Sequence, residues 1–431
     1  MSDYFDRVER QLVRSVEAGV PRSRRSPVRL EQLGFAAAVL VVFAVVAVFL
    51  GLHDHRHSGA PARSRHAGIV FSAVPIGPGA RLGPSIERST VILRRRIDAV
   101  FPGVRVARAG DEIVVADPRA RDLARIVALS VPGQLYFYDW EADALLTSGH
   151  DRGATVASRL PAQDPVAVLT SQGTATLPPG SPGDGSLELY QAVELAHRQP
   201  AARRAADQSH AGAAYYLFGG SRTAACRLAA RRMGEMPSLT AAGHCLLAGP
   251  QTSIEGLRAD LHLTFGAGVT LAQGRLLTVP RGTVVVQAAD PNASAPVAVS
   301  SPLAQFYVLK DRVALGPGAI TGARQSTDTS GAPDVEFAFT SAGESEFSRV
   351  TEQVAHRGFF VSSRGQTFDQ HFAIVLDGKL MSVPSIDFHE YPEGVRGGPG
   401  ADIASGLSTA AARDLATVLR FGPLPVKLAL R

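Results

Sequence analysis

A few groups of residues in this chain have types and spacings that bear on chemistry. Gly243-His244-Cys245 puts an imidazole beside a thiol, the pairing that activates a cysteine nucleophile. Neighbours in sequence need not meet as nucleophile and base, and no cysteine-hydrolase signature surrounds them. The chain holds 2 cysteines. In an oxidising compartment a disulfide between Cys226 and Cys245 is the favoured reading, with free thiols as the alternative. His53, His55 and His57, with Asp54, offer ligands to a transition metal. A polar linker explains them without one, and no metal site is assigned. Asp387, His389 and Glu390 cluster after Pro384 and read as a solvated loop. Asp377 precedes Gly378 in a turn, where aspartate is favoured because it tolerates left-handed backbone. No phosphate loop, dinucleotide fingerprint, zinc-protease helix or nucleophile elbow occurs. The sequence therefore predicts no catalytic residue, no cofactor and no metal.

Apolar periodicity gives the elements that must carry these residues. Ile69–Ile76 reads as a strand, and Ser85 is placed to cap a helix with Ile86, Leu93, Ile97 and Val100 on its apolar face. Val104–Arg108 and Glu112–Ala116 are strands joined through Ala109-Gly110-Asp111. A second helix starts near Pro118 and buries Leu123, Ile126 and Val127. Gln134–Tyr138 closes the set as a strand. The order β-α-β-β-α-β suits a ferredoxin-like sandwich.

That order recurs near the C-terminus. Val335–Phe339 alternates as a strand, and Ser341 with Glu344 makes a capping box for a helix burying Phe347, Val350 and Val354. Phe372–Leu376 and Lys379–Val383 flank Asp377-Gly378 as a hairpin. Ser408 caps a helix with Leu415, Val418 and Leu419 inward, stopped by Gly422 and Pro423. Val426–Leu430 closes as a strand. Between the two sets lies a mixed, loop-rich insert. In it Asp164–Gly185 reads as a loop and Ser186–His197 as a helix. Tyr215–Phe218, Asp260–Phe265, Leu276–Val279 and Thr283–Gln287 read as strands.

Of 431 residues, 45% are hydrophobic and 19% charged, enough to build cores and too few charges for a disordered chain. The formal charge is +5, carried by arginines spread along the chain, so nucleic acid is not expected as a partner. Leu33–Leu52 is uncharged and long enough, at roughly 30 Å, to span a bilayer as a helix. Arginines are denser before it than after, which predicts a cytoplasmic N-terminus and an extracytoplasmic remainder. Ala60-Pro61-Ala62 lies too far beyond the apolar run for a signal-peptide cleavage site. The expected fold class is thus α+β: one transmembrane helix, then two ferredoxin-like β-α-β-β-α-β units with the insert between. The expected partition is a cytoplasmic segment 1–32, a transmembrane helix 33–52, a linker 53–66, a first unit 67–145, an insert 146–300 and a closing region 301–431.

Two stretches carry a family resemblance. Thr90-Val91-Ile92-Leu93-Arg94-Arg95-Arg96-Ile97-Asp98, then Gly110-Asp111-Glu112-Ile113-Val114-Val115 and Gln134-Leu135-Tyr136-Phe137, resemble the start of the first extracytoplasmic domain of SecD, a protein translocase subunit. Ile320-Thr321-Gly322, Val335-Glu336-Phe337, Phe372-Ala373-Ile374-Val375-Leu376-Asp377-Gly378, Ser382-Val383-Pro384 and Gly422-Pro423-Leu424-Pro425-Val426 resemble its head and closing region. The resemblance implies a base at 67–145, a head at 301–431, and structural roles for Thr321, Gly322, Asp377, Gly378, Pro384, Gly422 and Pro425. It also implies a non-enzymatic protein at the bacterial cytoplasmic membrane. The partners it implies are exported polypeptide and, beyond that, translocon components or a SecF-like membrane protein. Family members continue into a bundle of membrane helices that couples protons. This sequence ends at Arg431 near where that bundle begins, so polypeptide binding without proton coupling of its own is expected. The alternative is an envelope interaction module that kept the fold and lost transport.

Overall fold

The computed structural model describes residues 68–76, 81–116, 122–145, 186–202, 210–220, 223–233, 243–288, 299, 304–328, 331–362, 369–396, 401–403 and 407–430. The first elements are β1 (Gly68–Pro75), α1 (Leu82–Val100), β2 (Arg105–Ala109), β3 (Glu112–Ala116), α2 (Leu123–Leu129), β4 (Leu135–Asp139) and the short α3 (Trp140–Asp143). Then come α4 (Leu189–His197), β5 (Ala214–Gly220), α5 (Ala224–Met233), β6 (His244–Gln251), α6 (Ile254–Phe265), β7 (Arg275–Val279), β8 (Thr283–Ala288) and β9 (Phe306–Lys310). The last are β10 (Ile320–Thr327), β11 (Pro333–Phe339), α7 (Ser341–Val361), β12 (Gln370–Leu376), β13 (Lys379–Ser382), β14 (Ser385–Ile386), β15 (Ala401–Ile403), α8 (Thr409–Arg420) and β16 (Val426–Leu430).

The first sheet has the order β16-β1-β3-β2, every neighbour antiparallel. Ile69 and Phe71 of β1 and Ile113 and Val115 of β3 point to one face, where they meet Ile86, Leu93 and Ile97 of α1 and Ile126 of α2. This is the ferredoxin arrangement, with one exchange: its fourth place is taken by β16 and not by β4. Burial explains the choice. Leu135, Phe137 and Tyr138 of β4 are at most 1% exposed, so this strand needs cover on both faces, as interior strands do. In β16 only Val426 is fully enclosed, while Lys427, Ala429 and Leu430 are exposed, which suits an edge.

β4 pairs instead with β12, in a sheet ordered β4-β12-β13-β8-β9 with β14 beside β12. The C-terminal repeat is therefore a repeat of element order and not of a sheet. β11 lies in a separate sheet, β10-β11-β15, β12 and β13 lie in the sheet that contains β4, and β16 closes the first sheet. The expected pair of self-contained ferredoxin-like units is corrected accordingly. The Asp377-Gly378 turn does join antiparallel strands, β12 and β13. Phe137, Phe337, Phe347 and Phe372 form an aromatic core, Phe137 lying within 5.9–6.2 Å of the other rings.

Within the insert, β5 is flanked by β6 and β7, and α4 buries Leu189, Val193 and Ala196 against Phe218, Leu277 and Phe306. Residues 260–265, expected as a strand, end α6. Ser253 caps that helix, its Oγ accepting from Gly256 N at 2.9 Å, and Leu257, Leu261 and Phe265 recur at helical spacing on the buried side. Two caps also shift. α1 starts after Arg81, with Ser85 buried inside the helix. α7 is capped by Thr340, whose Oγ1 accepts from Gly343 N at 3.0 Å.

The expected transmembrane helix is corrected as well. Among the described residues no helix is long and apolar enough to cross a membrane. The longest, α1 and α7, carry charges along their length and pack on sheets. Among the described residues the fold class is α+β without such a helix, so they give no support to the single-pass topology and membrane localisation expected from it. Segments 1–32, 33–52 and 53–66, with His53, His55 and His57, lie outside the described residues.

Candidate functional site

The run Arg94-Arg95-Arg96 divides between solvent and core. Arg94 and Arg95 face outward, while Arg96 is 0% exposed. Three residues after Leu93 and next to Ile97, it sits on the apolar stripe of α1. Its Nη1 donates to the carbonyls of Leu129 and Val131 at 2.9 and 2.6 Å. Its Nη2 donates to those of Pro132 and Gly422 at 3.2 and 2.6 Å. Burial pulls the guanidinium down to about 9, with the Asp377 carboxylate opposing, so the group is charged at neutral pH. One side chain thus satisfies carbonyls from two distant connections, α2–β4 and α8–β16.

Asp377 completes the junction. At φ 49° it takes the left-handed turn conformation, and its carboxylate accepts from Gly133 N at 2.9 Å and Gln134 N at 2.8 Å. Gln134 Nε2 donates to Leu424 O at 2.9 Å, and Leu424 N donates to Pro132 O at 2.8 Å. Gly133 is required here: at φ +73° an added Cβ would lie 2.5 Å from Val418 Cγ1 and 3.0 Å from Arg96 Nη2. Three connections, α2–β4, β12–β13 and α8–β16, therefore meet around Arg96 of α1.

The residues singled out by the motifs separate on this map. Asp377 and Gly422 meet at the junction, with Gly378 in its turn. Pro425 lies beside it, its carbonyl accepting from Ile76 N at 3.0 Å. Pro384 accepts from Phe372 N at 3.1 Å between β13 and β14. Thr321 and Gly322 stand apart, on β10 at a register shift in its pairing with β11. Arg96 and Gly133 escaped sequence reasoning because an arginine run normally signals a solvated face. Its position on the apolar stripe was the available signal.

A second polar cluster ties α7 to β4, α3 and β12. Arg357 Nη2 reaches Asp139 at 2.5 Å and its Nε donates to Gln370 at 3.0 Å. Glu141 accepts from His371 N at 2.9 Å and contacts His371 Nδ1 at 2.7 Å. A third joins β4 to the insert. The fully buried Asp311 binds the His210 ring, Ala211 N at 2.9 Å and Tyr138 OH at 3.2 Å. Both pin elements together.

Cys226 of α5 and Cys245 of β6 are joined in a disulfide, Cα to Cα 6.0 Å, so Cys245 holds no free thiolate. The His244 ring stacks on Tyr190 at 3.7 Å. Asp387 Oδ1 accepts from His389 N at 2.8 Å and Glu390 N at 3.3 Å, a loop-forming pattern. Among the described residues no group of three or more His, Cys, Asp or Glu is placed to hold a metal ion.

Two large apolar side chains also stand open to solvent. At the C-terminal end of α7, Phe359 and Phe360 are 63% and 78% exposed, their rings 5.7 Å apart.

The SecDF P1 head subdomain family matches residues 295–426, which include this pair, Arg357, Gln370 and His371 of the α7 cluster, and the Asp377 turn. Over this stretch the chain is similar to SecD proteins. Protein translocase subunit SecD of Rhodobacter capsulatus is 38% identical over 141 residues, 31% of this chain and 22% of that protein. SecD of Rickettsia bellii is 32% identical over 123 residues, 28% and 20% of the two chains. The chain spans about a fifth of the length of these SecD relatives. A SecDF crystal structure in a super-membrane-facing form covers 86% of this chain at 16% identity and a TM-score of 0.34, this chain covering 31% of it. A second, described as a membrane component that enhances protein export, covers 84% of this chain, and 97% of it is covered, at 18% identity and a TM-score of 0.35. At such scores the likeness carries no argument. Arg96 and the disulfide lie outside the matched SecDF head region.

Proposed function

We propose that this protein serves protein export by holding extended, unfolded polypeptide on its SecD-type head, acting by binding and not by catalysis. The observation that carries this reading is the Phe359–Phe360 pair, exposed side by side within the matched head region. Large aromatic groups left in water are costly unless a partner covers them, and an unfolded chain supplies apolar side chains without requiring a shaped pocket. β10 supports the same reading. It lies at the edge of its sheet, and an extended segment can add to such an edge through backbone hydrogen bonds. The buried disulfide fits an oxidising compartment, where exported chains emerge. Translocon components or a SecF-like membrane protein are the partners this role implies.

The test is a photo-crosslinking amino acid at position 360 in the full chain, in cells exporting a translocation-arrested precursor. Adducts with that precursor are expected, and a probe on the buried side of α7, at Val354, gives none. Adducts confined to one folded envelope protein, with none to the precursor, would overturn the reading in favour of a dedicated interaction module.

A further inference from the structure

The exposed aromatic pair has an acidic border. The Phe359 ring lies 6.2 Å from Phe388, and Phe388 lies 4.2 Å from the His389 ring, so the loop 387–396 flanks the end of α7. That loop presents Asp387, Glu390 and Glu393, all exposed, together with Tyr391. Asp369 enters from the start of β12. Its carboxylate accepts from the Phe388 backbone N–H, and Oδ1 is closed to solvent without a hydrogen-bond partner among the described residues. Burial first, and then the Asp387 charge, push this carboxyl above its usual range, the His371 and His389 rings opposing. Among the described residues, the arginines beside this border are already engaged. Arg396 pairs with Glu393 at 3.0 Å and Arg357 with Asp139 at 2.5 Å. The described part of this border therefore carries an excess of carboxylates.

We propose that this surface selects extended segments in which Lys or Arg alternates with apolar side chains. The apolar residues rest on Phe359 and Phe360, and the cations on Asp369, Asp387 and Glu390. The inference builds on the polypeptide-binding reading above. In an extended chain, successive side chains point to opposite sides, so neighbouring apolar and basic residues reach different parts of one site. A cation beside the exposed Asp387 and Glu390 makes charge-assisted hydrogen bonds and is drawn by the Asp369 charge behind them, and an arginine also gains from a nearby aromatic face. An acidic segment of equal hydrophobicity meets like charge instead.

The experiment measures fluorescence anisotropy of labelled unstructured peptides against the full chain. Three peptides share their apolar residues and carry Lys and Arg, Gln and Ser, or Glu between them. The basic peptide is expected to bind about tenfold tighter than the acidic one, from a few exposed charge pairs of modest strength. That preference should collapse in about 0.5 M salt. A variant combining Asp369→Asn, Asp387→Asn and Glu390→Gln should lose the discrimination and keep its affinity for the neutral peptide, which also shows that it is folded. Phe359→Ser with Phe360→Ser should weaken all three. Equal binding of the three peptides overturns the charge selection and leaves polypeptide binding standing. Binding of none overturns both.

Discussion

Replacing Arg96 by methionine keeps most of the side chain's length and removes its charge and donors. The wild-type group makes hydrogen bonds to the carbonyls of Leu129, Val131, Pro132 and Gly422. Pro132 retains its bond from Leu424 N, so three acceptors lose the bond described. A buried acceptor left unmet costs about 1–3 kcal/mol. Against this, a buried charge no longer has to be desolvated, a saving of several kcal/mol. The net loss should be about 3–5 kcal/mol, or roughly 3–6 °C in melting temperature for a chain of this size. Trp140, the single tryptophan and 1% exposed, reports the transition by fluorescence. Hydrogen exchange localises the damage: the amides of Leu424 and Ile76, which bond to Pro132 and Pro425, should exchange faster, while those of the β5–β6 pair should not. A melting temperature within about 2 °C of wild type, with unchanged exchange at Leu424, would refute the view that Arg96 holds these connections together.

Gly133→Ala places a methyl group against Val418 and Arg96 at φ +73°. A cost of about 2–4 kcal/mol by chemical denaturation is expected, combining backbone strain with overpacking. Cys226→Ser with Cys245→Ser releases a loop of sequence separation 19. It should lower the stability of the insert by roughly 3 kcal/mol on the chain-entropy account, read as proteolysis within residues 214–279 before the rest of the chain. Burial raises the Asp143 carboxyl from 3.8 to about 7 despite Arg312. Its folded form holds a proton that the unfolded form releases, so this stabilisation is complete below pH about 4 and lost as pH rises through about 7. Asp143→Asn should flatten the fall of the denaturation midpoint across that window, and an unchanged slope would assign the fall to other groups.

What could be read from the sequence was local. The Asp377-Gly378 and Gly110-Asp111 turns, the Ser408 cap and the apolar faces of α1, α7 and α8 each depend on residues a few positions apart, and they stand in the structure. Strand partnership depends on contacts hundreds of residues apart. Nothing in the sequence of β4 says that it joins β12 and leaves its neighbours to β16, although the uninterrupted run Leu135-Tyr136-Phe137-Tyr138 hinted at cover on both faces. α6 was missed for a related reason, since a window of six residues cannot separate a buried helix end from a strand. Arg96 stayed hidden because its run of charge masked its phase. Phe359 and Phe360 were invisible as a surface because exposure is a property of the folded chain.

The pairing of β1 with β16 bears on the order in which this molecule is made. β1, α1, β2, β3 and α2 have all been synthesised by residue 129, yet the partner of Ser72 is Ala429, 357 positions later. Closing so long a loop costs roughly 5 kcal/mol in chain entropy plus a constant, and such pairings form slowly. During that interval the free edge of β1 is open to any other extended chain. The half-built sheet is thus itself an adhesive surface, exposed for as long as the ribosome takes to reach residue 426. A molecule interrupted earlier keeps that edge open, so completing synthesis, and not any local element, is what closes it.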